Sequence, residues 1–197
     1  MSEFALYFEL GWQHIIAWDG LDHILFIIAL CAVYLLKEWR KVLVLVTAFT
    51  IGHSITLALS VLNVVHISTA LIEFLIPVTI FITALFNIIR PQQEQASETV
   101  QLNYLFALFF GLIHGMGFSN RLKSLLGVGE NVVKPLLGFN LGLEVGQILI
   151  VISVLLMAGI IVNVTRADRR SWTMFLSSAI FGVAFVMAIE RFKALFV

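Results

Sequence analysis

Residues 136–163, LLGFNLGLEVGQILIVISVLLMAGIIVN, contain one ionisable side chain, Glu144, in 28 consecutive positions. As a helix this run is about 42 Å long, more than the roughly 30 Å of bilayer hydrocarbon. Such a stretch has no place on a water-facing fold. Similar apolar blocks lie on its N-terminal side at roughly 20–36, 41–62, 67–89 and 102–120, and on its C-terminal side at 171–193. They are separated by KEWRK, NVVH, RPQQEQASE, RLKSLLGVGENVVK and TRADRR. The reading is an all-α, polytopic transmembrane helix bundle of about six spans, with the whole chain, 1–197, forming a single transmembrane domain. Residues 4–18 are apolar and aromatic but too short to span comfortably beside Glu9, so they are expected to form a short N-terminal interfacial or re-entrant segment. Pro77, inside the third block, is expected to kink its helix.

Composition agrees with this reading. The 197 residues are 60% hydrophobic and 12% charged, with mean hydropathy +1.03. Soluble domains carry about 25% charged residues, so a soluble enzyme is excluded. Twelve basic residues balance twelve acidic ones, which leaves no basic surface and no expectation of a nucleic-acid partner. The single cysteine, Cys31, excludes an intramolecular disulfide and a cysteine-cluster metal site. The N-terminus has no basic region of the signal-peptide kind, so a cleaved leader is not expected. Lys37, Arg40, Lys41, Arg90, Arg166, Arg169 and Arg170 fall on one side of the six-span arrangement and Arg121, Lys123, Lys134, Arg191 and Lys193 on the other. Seven against five votes for both termini outside.

Ionisable side chains within hydrocarbon cost on the order of 3 kcal/mol each, which makes their positions functional candidates. The first block opens with HIIAWDGLDHILF, giving His14, Asp19, Asp22 and His23. TAFTIGHSITL carries His53 and Ser54, LIEFLIP carries Glu73, and GLIHGMGF carries His114. In FNLGLEVGQ, Asn140, Glu144 and Gln147 recur at i, i+4 and i+7 and share a helix face. Counting down alternating spans from one membrane face places His53 at a depth of about 14 Å, Glu73 and His114 at about 9 Å, and Glu144 at about 12 Å. Asp22 and His23 fall in the first turn of their span, so these groups share one layer. Three imidazoles and three carboxylates without thiolates suit a borderline divalent cation: nickel, cobalt, iron or zinc. Asp22, His23, His53, His114 and Glu144 are the leading candidate ligands. Glu73 is a ligand or proton acceptor, His14 and Asp19 are further candidates, and Asn140, Gln147 and Ser54 are candidates for orienting the ligands. Packing roles compete for each of them: a helix-start motif for Asp22 and His23, a structural polar seam for Glu144.

On the motifs HIIAWDGLDHILF, TAFTIGHSITL, LIEFLIP, GLIHGMGF and FNLGLEVGQ, in that order, the sequence resembles the HupE/UreJ family of membrane proteins, in particular its short, Bacteroidetes-type branch. The resemblance covers nearly the whole chain. It implies a multi-pass inner-membrane protein that handles nickel or cobalt as a permease, or that works with hydrogenase or urease maturation proteins. By motif, Asp22 and His23 match the family's DH pair, His53 the histidine of the second motif, His114 that of the HG motif, and Glu144 the acidic residue of the last. The best-known permeases open with an HP-type motif where this chain has HIIAWDGLDH.

Two functions compete on the residues. One is a metal permease or delivery protein, whose ligands strip part of the hydration shell and pass the ion onward. The alternative is a membrane-embedded metalloenzyme, a hydrolase or di-metal redox enzyme acting on a lipid-like substrate, with Glu73 or Glu144 as general base. The inner halves of the spans offer few ionisable groups to a permeating ion.

Overall fold

A computed structural model describes residues 2–90, 97–126, 132–166 and 168–196, with the side chains of Asp19, residues 97–100 and Leu102 outside that description. The described chain is helical with no strand. The helices are α1 (Glu3–Ile16), α2 (Leu21–Cys31), α3 (Trp39–Val61), α4 (Thr69–Ile89), α5 (Ser97–Gly117), α6 (Ser119–Leu125), α7 (Val133–Thr165) and α8 (Arg169–Ala194). Four of them, α3, α4, α7 and α8, are long and apolar enough to cross a membrane. The bent pair α1 and α2 raises this to five if it is one broken span, and the apolar part of α5, Asn103–Gly117, is shorter. The chain is a multi-pass membrane protein.

The first block differs in detail from a straight span. Its helix ends at Cys31, so α2 is only 11 residues, about 16 Å long. The preceding segment is itself helical, is capped by the Ser2 hydroxyl accepting from Ala5 N–H, and packs along α7. A turn at Ala17–Gly20 joins the two helices at 67°, the geometry of a broken span or re-entrant loop. Pro77 lies within α4 without ending it.

Helices pair off in the bundle: α3 with α5, α1 with α7, and α4 with α8. Small residues set the first two pairings. Gly115 lies against the His53 carbonyl, and Gly142 against the Phe8 carbonyl, so closely that a Cβ at either position would overlap backbone atoms. Close backbone approach of this kind drives helix association where the solvent is itself apolar. Between the pairs run the buried core of Phe26, Phe49, Ile80, Val151 and Ile180 and a smaller cluster around Leu57, Leu122, Phe139 and Leu143. Val44, Ile51, Leu141, Val145, Ile152, Phe175 and Val186 face outward, as lipid-facing positions do.

One end of the bundle is tied by the start of α8. Asp168 caps it, its carboxylate accepting from Ser171 N–H. Arg170 donates to the carbonyls of Asn87, Ile88 and Arg90, closing the C-terminus of α4, where carbonyls otherwise lack partners. Arg169 donates to the Val33 carbonyl and pairs with Glu38 at 2.7 Å, while the Thr173 hydroxyl donates to the Ala32 carbonyl. Two of the arginines counted for membrane orientation are therefore helix-end ligands as well.

Replacing Gly115 by Val forces α5 off α3. Overpacking of this kind costs about 1–3 kcal/mol. The variant is expected to unfold at a lower temperature than a Gly159→Val variant, since nothing lies within 4 Å of a Cβ at Gly159. Thermal unfolding followed by circular dichroism in detergent measures the difference.

Candidate metal centre

The break between α1 and α2 creates the first half of the site. Gly20 seats directly against the His14 carbonyl, which folds the first turn of α2 back onto the last turn of α1. The rings of His14 and His23 then lie 4.6 Å apart, edge to face. The second half comes from the α3 and α5 pair, whose close approach at Gly115 carries His53 and His114 into the same space. His53 lies 5.8 Å from His23 and 6.2 Å from His14, and His114 lies 5.0 Å from His23, between ring centroids. Four imidazoles from four helices converge.

Their surroundings are apolar. Phe26 and Phe49 each lie 5.1 Å from His114, Phe118 lies 4.2 Å from His14, and Phe139 stacks on His53 at 6.2 Å. His53 and His114 are fully buried, and His23 is 3% exposed. Hydrogen bonds orient two of the rings. His23 Nδ1 lies 2.9 Å from Asp22 Oδ1, a carboxylate oxygen that also accepts from the His23 backbone N–H at 2.8 Å. A carboxylate accepts only, so this bond places the proton on Nδ1 and leaves the Nε2 lone pair for the interior. His114 Nδ1 donates to the Phe110 carbonyl at 2.8 Å, with the same consequence.

Nothing among the described residues satisfies the remaining nitrogens. Nε2 of His14, His23 and His114, and both ring nitrogens of His53, are buried without a hydrogen-bond partner. An unpaired buried polar group costs about 1–3 kcal/mol, so such a concentration points to a ligand outside the protein. Ligand nitrogens of His14, His23 and His53 lie within 4.8 Å of one another. Around a metal held at about 2.0–2.1 Å, imidazole nitrogens stand closer than that, a distance rotation of the rings covers. The Asp22–His23 pair has the form of the carboxylate–histidine pairs that set the tautomer and basicity of metal ligands.

Of the three carboxylates expected in the same layer, Asp22 is at the cluster and the other two stand elsewhere. Glu73 pairs with Arg191 at 2.6 Å on the surface between α4 and α8, 44% exposed. Glu144 accepts from the Thr47 hydroxyl at 2.8 Å on the seam of α3 and α7. One turn along that seam the Thr50 hydroxyl donates to Gln147 at 2.6 Å, and Gln147 Nε2 is buried without a partner. Asn140 leaves a buried, unpartnered Oδ1, and Ser54 turns back to donate to the Thr50 carbonyl. Asp19 lies in the turn between α1 and α2, its side chain outside the described residues. The phenylalanine cage was missed in the sequence, although it leaves a signal there. A Phe stands four residues before His53 and before His114, at Phe49 and Phe110, and Phe118 stands four after His114.

The family profile described as HupE / UreJ protein matches residues 1–191. The chain belongs to the HupE/UreJ family. No curated protein and no solved structure matches it. In this HupE/UreJ protein the matched region includes all four clustered histidines and every helix around them.

Truncating Asp22 to Ala releases the His23 ring. The expected result is metal affinity about 10–100-fold weaker with helix content unchanged, the usual consequence of losing such a partner. Nickel titration calorimetry on the purified variant measures it.

Proposed function

We propose that this HupE/UreJ protein is a permease or delivery protein of the bacterial inner membrane for a divalent transition metal, nickel or cobalt first, with zinc and iron as competing cargo. His14, His23, His53 and His114 are the ligands and Asp22 the positioning carboxylate. The observation that carries this reading is the set of buried, unpartnered imidazole nitrogens, with ligand nitrogens of His14, His23 and His53 within 4.8 Å of one another and the His114 ring 5.0 Å from that of His23. Neutral imidazole suits nickel, cobalt and zinc alike, so the donor type alone does not choose among them.

Passage rather than permanent retention is supported by the polar groups that continue past the cluster. Along α3, Thr50 and Thr47 stand one and two turns from His53, about 9 Å in all, and each meets a polar partner on α7, Gln147 and Glu144. Glu144 is assigned there as the next stopping point for a cation leaving the histidines. A site that binds and a second that receives is what a moving ion requires. Termini on the periplasmic side would have the ion enter by the histidines and leave by Glu144. Hydrogenase or urease maturation proteins would be receivers on the far side.

One observation favours a second reading. Three mutually close imidazoles leave a fourth coordination position open, the arrangement of hydrolytic zinc sites, which would make the protein a membrane-embedded metalloenzyme acting on a lipid-like substrate.

Proteoliposomes loaded with a nickel-sensitive dye separate the two. Permeation predicts uptake that His53→Ala abolishes together with binding. Glu144→Gln is expected to keep nickel affinity within about threefold and to slow flux at least tenfold. Tightly bound metal with no flux in the unmodified protein would reject the permease reading.

A further inference from the structure

A separate polar cavity sits at the end of the bundle where α3 finishes, α4 begins and α6 crosses. Ser60, His66, Thr69, Ser119, Asn120 and Lys123 supply its polar lining, with Val65, Ile67 and Met116 completing the wall. Its volume is about 60 Å³, room for a few waters or one small oxyanion. Among the described residues no carboxylate lines it, and its one charged side chain is Lys123.

Three independent features give the cavity an anionic preference. Lys123 is half-buried and has no ion pair or hydrogen bond among the described residues. Ser60 is 6% exposed, and its hydroxyl has no hydrogen-bond partner among the described residues, whereas the other lining hydroxyls are engaged. Thr69 accepts from Asn120 Nδ2 at 2.9 Å, and Ser119 donates to the Met116 carbonyl at 2.8 Å. Thr69 is also the first residue of α4, a 21-residue helix that begins without a side-chain cap on its N–H groups. Uncapped N–H groups and the positive end of the helix dipole favour negative charge.

We propose that this cavity binds one phosphate group, held by Lys123 Nζ, the Ser60 hydroxyl and Thr69 at the N-terminus of α4. Asn120 holds the Thr69 hydroxyl so that its own hydrogen is free to point at the same oxygens. Two sources carry this chemistry: the headgroup of an anionic phospholipid, at hand where helices end, and inorganic phosphate from the aqueous side. The assignment is independent of the metal reading, because none of its residues belongs to the histidine cluster.

Delipidated protein in neutral detergent tests it with two probes, phosphatidylglycerol followed by native mass spectrometry and inorganic phosphate followed by calorimetry. One probe is expected to bind one-to-one, with affinity at least tenfold lower in both Lys123→Gln and Ser60→Ala and retained in Lys123→Arg. Binding of phosphatidylglycerol alone assigns the lipid source; phosphate that binds and displaces the lipid assigns the free ion. Stoichiometric binding by neither probe overturns the proposal, as does binding that the Gln and Ala variants leave unchanged. Retained binding in Lys123→Arg guards against a folding defect in Lys123→Gln, and nickel titration of the same samples reports separately on the histidine site.

Discussion

The contact of the α5 backbone at Gly115 with the His53 carbonyl of α3 is the constraint on which the rest depends. It brings two helices close enough that His53 and His114, both interior, stand in one space rather than on opposite sides of a layer of side chains. A bilayer offers no hydrophobic drive to hold two apolar helices together, so close packing has to supply the association. The same device recurs between α1 and α7 at Gly142, and that pairing delivers His14. The histidine site lies between two helix pairs, each held from within by backbone contact.

Hydrogen bonding explains why the cluster is more than polar packing. A histidine kept for structure would spend both ring nitrogens on neighbours. Here Asp22 and the Phe110 carbonyl take one nitrogen each of His23 and His114, and the other has no hydrogen-bond partner among the described residues. Phenylalanine rings wall the space around them. On the proposed reading, a bound cation would remove the cost of these unpaired nitrogens by accepting their lone pairs.

Much of this was legible in the sequence, and the illegible part has a geometric reason. Apolar blocks and their polar punctuation give helices and a membrane setting, because span length and hydropathy are local properties. Counting down a helix gives depth, and depth put His23, His53 and His114 together. It gives no direction around the helix axis. Glu73 shares the depth of His114, yet it sits on the outer side of α4 and meets Arg191 from α8, a partner 118 positions away. Glu144 likewise shares a layer but faces Thr47. His14 was understated for the converse reason: in the sequence its segment is too short to span, and only the 67° break folds it back over α2.

The central claim is that a transition metal binds to imidazole nitrogens in this cluster. X-ray absorption at the nickel edge of the metal-loaded protein tests it most directly. The account predicts at least three imidazole ligands, recognised by their outer-shell scattering, with nitrogen near the usual metal–imidazole distance of about 2.0–2.1 Å, and loss of that pattern in His53→Ala. An oxygen-only shell, or a spectrum unchanged by removing His53, would contradict it.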